Sequence, residues 1–84
     1  MALQVRGNDI LSHGEFAQLV RGLDDAAPTA MLAAWFAGEE IEPSELHQAL
    51  DIDCRIATRT PRARALIDAA LRRLEQFHPM EATA

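Results

Sequence analysis

Four side chains of this chain have the chemistry of metal ligands or nucleophiles: His13, His47, Cys54 and His78. A metal centre needs such residues at short, clustered spacing. These are scattered, with no Cys-x-x-Cys and no His-x-x-x-His pair. His47 reads as a helix-surface residue, and His78 sits where a helix C-terminus favours a positive charge. Cys54 would act as a nucleophile only with a base beside it and a lowered pKa. Its neighbours alternate in polarity, which points to a buried structural thiol. Glu39, Glu40, Glu42 and Glu45 cluster, as do Asp51 and Asp53. Paired carboxylates do acid–base work only in a cleft that raises one pKa, and a domain of 84 residues has little room for one. A solvated acidic face is the expectation. The four glycines stand apart, so no glycine-rich phosphate loop is present. No catalytic, cofactor-binding or metal-binding residue is expected.

The arginines carry more information. There is no lysine, and residues 55–84 hold Arg55, Arg59, Arg62, Arg64, Arg72 and Arg73 against three acids. Residues 1–54 hold ten acids against Arg6 and Arg21. The net formal charge is −5, but it is unevenly divided. Arginine's planar fork suits carboxylate or phosphate better than an ammonium does; a GC-rich genome would also replace lysine by arginine and enrich alanine. Arg62 and Arg64 fall in the first turn of a predicted helix, where the macrodipole disfavours cations. Something should compensate them. The acidic stretch 39–45, or Asp51 and Asp53, can fold against them, or an anionic partner can. The acidic balance of the whole chain favours an internal or protein partner over nucleic acid. Trp35 and Phe36 are the other candidates for a partner surface, because neighbours on a helix point about 100° apart. One can lie in the core while the other faces outward; for Trp35 the core is the favoured place.

The elements that position these residues are mostly helical. Thr60 is a good N-cap, Pro61 fits the first helical position, and Ala63, Ile67, Ala70, Leu74 and Phe77 recur at helical spacing until Pro79. This long amphipathic helix needs something to cover its apolar face. Ser12-x-x-Glu15 has capping-box spacing, with Leu11 and Phe16 placed as a hydrophobic staple. Pro28–Ala37 is apolar on nearly every side and ends at Gly38, a natural left-handed stop. Pro43 opens another short helix. The prediction is an all-α fold: a small four-helix domain with helices near 13–23, 28–37, 43–51 and 60–78, the last packed across the second. Ile52, Cys54 and Ile56 alternate with Asp53, Arg55 and Ala57, a strand-like pattern. It allows one short extended segment near 52–57, lying beside residues 2–6. Residues 1–9 and 79–84 read as an arm and a tail of this single domain, 1–84. The alanine-rich core should be thin, so marginal stability or oligomerisation is expected.

The segment from Ile41 to Ile52, with Pro43-Ser44-Glu45-Leu46 followed by Leu50-Asp51-Ile52, resembles the first helix of a bacterial helix-turn-helix. That resemblance implies a second helix entering the DNA major groove by its N-terminal residues, here Arg59, Arg62 and Arg64. Two departures stand against it. The link from Asp51 to Arg59 is longer than a three- or four-residue turn, and Asp51 replaces the usual glycine.

The absence of a basic region followed by a long apolar run predicts no secretory signal. The single cysteine fits a reducing compartment, and no apolar run reaches the roughly 20 residues that span a bilayer. The expected setting is cytoplasmic, without a membrane. The function expected is a small non-catalytic protein–protein interaction module, of adaptor, chaperone or inhibitor type, acting through helix faces. Its partner is another protein or itself as a homodimer, in the simplest version through residues 63–77. The alternative is a helix-turn-helix-like DNA-binding transcriptional regulator. Partner-facing candidates are Trp35, Phe36, Arg55, Arg59, Arg62 and Arg64.

Overall fold

The computed structural model describes residues 5–77. One helical turn, α1 (Gly7–Ile10), leads into α2 (His13–Arg21) and α3 (Ala26–Phe36). Then α4 (Pro43–Gln48) runs without a break into a π-helical stretch, Ala49–Cys54, and α5 (Pro61–Phe77) closes the chain. The architecture is all-α, with four helices near their expected places. The extra turn, α1, falls at the end of the stretch 1–9 that reads as an arm. Residues 1–4 of the arm, His78 and the tail 79–84 lie outside the described residues.

The helix boundaries follow from local chemistry. Ser12 Oγ accepts from the Glu15 N–H at 3.2 Å, and the Glu15 carboxylate accepts from the Ser12 N–H at 3.0 Å, a complete capping box. Asp25 caps α3 by accepting from the Ala27 N–H at 2.9 Å, so α3 starts two residues before Pro28. The proline then lies in the first turn, where its missing N–H leaves no bond unmade. At the other end Gly38 has φ 124°; its N–H donates to Trp35 O and the Glu39 N–H to Ala34 O. This is the Schellman stop expected of Gly38. Thr60 Oγ1 accepts from the Ala63 N–H at 3.1 Å and caps α5 as expected.

Residues 52–57 are not extended. They continue the helix of α4 through the π-helical stretch to Ile56. Leu46, Leu50, Cys54 and Ala57 are enclosed there at steps of four, four and three, with Ala49 enclosed beside them, which is a helical stripe. The alternation misleads because Ile52 and Ile56, which suggest the inward face of a strand, both point outward. Nor do Val5 and Arg6, the described part of 2–6, lie beside this segment; residues 2–4 are outside the described residues. Val5 instead forms an antiparallel bridge with Ile41, exchanging N–H···O bonds of 2.9 and 3.1 Å. A second such bridge joins Leu23 to Thr58.

Packing also departs from expectation in one respect. The long helix α5 lies chiefly against α2 and the π-helical stretch, while α3 packs on α1 and that same stretch. Two features explain the α2–α5 contact. Gly22, just past α2, lies so close that an added Cβ would collide with Ala63 Cβ and come within 2.8 Å of Thr60 Oγ1. The Arg59 N–H also donates to Gly22 O at 2.8 Å. The resulting core is a single cluster in which Leu19, Leu32, Trp35, Leu46, Leu50, Ile67 and Leu74 are fully enclosed. Ala63, Ile67, Ala70 and Leu74 are all buried within the chain, so this part of the α5 stripe is covered by the chain's own helices.

Candidate functional site

Trp35 belongs to the core. It has no exposed surface, and its indole N–H donates to Val5 O at 3.1 Å, which satisfies the one polar atom it brings inside. Phe36 is partly buried. Its ring stacks on Phe16 at a centroid distance of 4.5 Å and meets the His13 ring edge-on at 4.7 Å. Gly7 backs this cluster, since a Cβ there would come within 2.6 Å of the Phe36 backbone. Both aromatic residues therefore hold α3 to the N-terminal half of the chain.

The arginines divide into anchored and free. Arg55 donates to Asp68 at 2.8 Å and also faces Asp51 at 3.3 Å. The Asp68 bond, with the field of both carboxylates, raises its already high pKa further. Arg59 donates to Arg21 O at 2.7 Å and lies 3.8 Å from Asp24. Arg73 donates to Ile10 O at 2.8 Å and grips Glu15 with both nitrogens at 2.8 and 2.9 Å. These three tie α5 and its approach to the rest of the bundle. Arg62 and Arg64 are exposed and make no ion pair among the described residues. The acidic connector does not fold against them: Glu40 pairs with Arg6 at 3.0 Å, and of Asp51 and Asp53 only Asp51 meets an arginine, Arg55. Two shallow depressions flank the start of α5. One, of about 430 Å³, has Arg59 and Arg64 on its wall; a smaller one has Arg21 and Arg62. This end of the molecule is basic and open to water.

A second surface escaped the reading of the sequence. Ile56 is 82% exposed and Ile52 47%, the only large hydrophobic side chains so placed among the described residues. They stand four residues apart on one helix face. Beside Ile56 lies an open depression of about 340 Å³ lined by Met31, Pro28 and Ala27 of α3 and by Asp25 and Asp53. Exposed isoleucines on helices carry no fold-stabilising burial, and clustered apolar surface with a polar rim marks contact sites. The available signal was the competing helical stripe through Leu46, Leu50, Cys54 and Ala57, which leaves both isoleucines on the outside.

Cys54 lies fully enclosed under this face. Burial, assisted by the charge of Asp53, pushes its thiol up to about 11, so it is protonated and inert at neutral pH. Among the described residues no group of three or more His, Cys, Asp or Glu side chains is placed to hold a metal ion. No helix among them is long and apolar enough to cross a membrane.

Compared with known proteins, the chain matches no family model, no curated protein and no solved structure. The helix-turn-helix resemblance rests on residues 41–52 alone, and Leu50-Asp51-Ile52, which it sets just before the turn, lie inside a continuous helix. The first helix continues to Ile56 and α5 begins at Pro61, so the connection spans residues 57–60.

Proposed function

We propose that this chain is a small, cytoplasmic, non-catalytic protein–protein interaction module that acts through a helix face. The observation that carries the reading is Ile56, 82% exposed next to Ile52 and a depression floored by Met31, Pro28 and Ala27 and edged by two aspartates. A side chain of that size left in water costs the lone molecule about 1.5–3 kcal/mol of unrealised burial. A partner that covers it recovers that term. Exposed apolar anchors of this kind are where interfaces concentrate their binding energy. The buried, unreactive Cys54 and the internal employment of Arg55, Arg59 and Arg73 point away from site chemistry and toward a rigid presenting scaffold.

The test is photo-crosslinking in the source cells. A photoreactive amino acid in place of Ile56 should give a discrete higher-mass adduct, and one in place of the exposed Gln76 should not. Equal labelling at both positions, or none at either, would remove the reading.

A second reading has its own support. Arg62 and Arg64 stand exposed at the start of a helix that follows a short turn, as a DNA-reading helix would present them. If they contact phosphates, anisotropy of a mixed-sequence duplex should report binding that falls steeply with salt. Each lost contact should flatten that slope by about 0.9 in the double variant Arg62→Ala/Arg64→Ala. No binding at low salt sinks this alternative.

A further inference from the structure

We propose that the Ile52–Ile56 face receives a cationic amphipathic helix of another protein. The partner's apolar stripe would lie on Ile56 and Met31, and its lysine or arginine side chains against Asp25 and Asp53. The inference rests on the interaction-module reading and adds the chemistry of the partner.

The charges around the depression decide the partner's sign. Asp25 and Asp53 both line it, no basic side chain does, and neither carboxylate is in an ion pair among the described residues. The Asp25 carboxylate is engaged only through its cap bond from the Ala27 N–H. Any partner that covers Ile56 strips water from these two groups. Without a cation to replace that water, the desolvation penalty offsets the apolar gain. A partner bearing lysine or arginine beside its apolar stripe satisfies both requirements at once. An anionic partner, nucleic acid included, meets repulsion here. So does a second copy: a two-fold pair centred on Ile56 would bring four uncompensated aspartates around one small patch. The acid excess of residues 1–54 acts in the same direction at longer range and speeds the approach of a basic segment.

The form of the partner follows from what the surface can bond. Among the described residues there is no sheet edge to be extended by a strand, which excludes main-chain augmentation as the mode. The face consists of side chains at helical spacing on the 49–56 segment and on α3, and such a surface accepts the ridge of another helix.

The experiment is a titration, followed by fluorescence anisotropy, of a labelled model peptide of about five turns, leucine on one face and lysine on the other. The same peptide with glutamate for lysine is run beside it. Wild type is compared with Ile56→Ser, with Asp25→Asn/Asp53→Asn, and with Glu39→Gln/Glu42→Gln. The last removes the same charge from the connector. Asparagine keeps the acceptor that caps α3, and circular dichroism checks that every variant is folded.

The lysine peptide should bind wild type. Ile56→Ser should weaken it about tenfold or more, and Asp25→Asn/Asp53→Asn about fivefold with a flatter salt dependence. The connector variant should match wild type, and the glutamate peptide should not bind. Equal weakening by the connector variant would reduce the effect to general attraction and overturn the proposal, as would indifference to Ile56→Ser. Binding of the glutamate peptide that depends on Ile56 would overturn the partner chemistry while leaving the interaction module standing. Sedimentation of wild type alone that shows a dimer, lost in Ile56→Ser, would assign the face to a second copy and overturn the proposal. Binding of neither peptide overturns it too; crosslinking at Ile56 then judges the module reading separately.

Discussion

At the scale of single residues, two groups have environments that set measurable behaviour. Glu15 is held well below the usual carboxylate range, at about 2 against 4.5, first by its hydrogen bonds from Arg73 and then by the Ser12 N–H. A carboxylate depressed on folding stabilises the native state above its unfolded pKa and loses that contribution as pH falls toward the folded value. The contribution is therefore complete above pH about 4.5 and disappears toward about 2. Glu15→Gln should accordingly be less stable than wild type at pH 7, and the two should converge as the pH approaches 2. Urea melts at several pH values read this directly; a constant gap would refute the pairing. Cys54 is the other case. With its thiol pushed up by burial to about 11, it should resist alkylation at pH 8 in the native state and react promptly in urea. Rapid native labelling would contradict the enclosure described above.

At the scale of elements, the α2–α5 crossing depends on the missing side chain of Gly22. Gly22→Ala forces a Cβ into Ala63 and Thr60, both held by the start of α5, and overpacking of that kind costs about 1–3 kcal/mol. Gly14, in the first turn of α2, has no atom within 4 Å of the position its Cβ would take. There alanine should raise stability by about 0.5–1 kcal/mol through a stiffer unfolded chain and better helix propensity. Opposite shifts in the denaturation midpoints of the two variants would establish that contact, and not composition, decides. The continuous segment from Pro43 to Ile56 makes the complementary point. Its stripe through Leu46, Leu50, Cys54 and Ala57 competes in the sequence with the alternation of Ile52, Cys54 and Ile56. Local pattern alone cannot choose between periods that share Cys54. Packing chooses: the helical period turns Ala57 inward with Leu50 and Cys54 and leaves Ile52 and Ile56 outside, whereas alternation would put both isoleucines on the face of Cys54.

At the scale of the whole molecule, one thin core carries nearly all the stabilisation. Leu32 is fully enclosed in it, and Leu32→Ala should cost about 2–5 kcal/mol, a large part of the total expected for a chain of this length. Ile56→Ser, by contrast, should change stability by less than about 0.5 kcal/mol while removing partner binding. Chemical denaturation followed at the helical circular dichroism band should show a single transition in both, shifted only in the first. Equal losses would mean that Ile56 is a core residue. The charge asymmetry is also a property of the whole. Arg55, Arg59 and Arg73 are consumed in stitching α5 to its neighbours, while Arg21, Arg62, Arg64 and Arg72 are exposed and in no ion pair among the described residues.

The helical class, the Ser12–Glu15 capping box, the Thr60 cap, the Gly38 stop and the amphipathic stripe of α5 were legible in the sequence. Each arises from interactions within a few residues: Ser12 with Glu15, Thr60 with Ala63, Gly38 with the end of α3, and the apolar spacing from Ala63 to Leu74. Which of the candidate arginines are free was not. Arg55 is tied by Asp68, thirteen residues away, and Arg59 by the carbonyl of Arg21, thirty-eight residues away. Ile52 and Ile56 look like core residues by type, and only the rotation of their helix against α3 and α5 places them in water. Hydrophobicity sets how strongly a side chain seeks cover, but tertiary packing decides which of them find it.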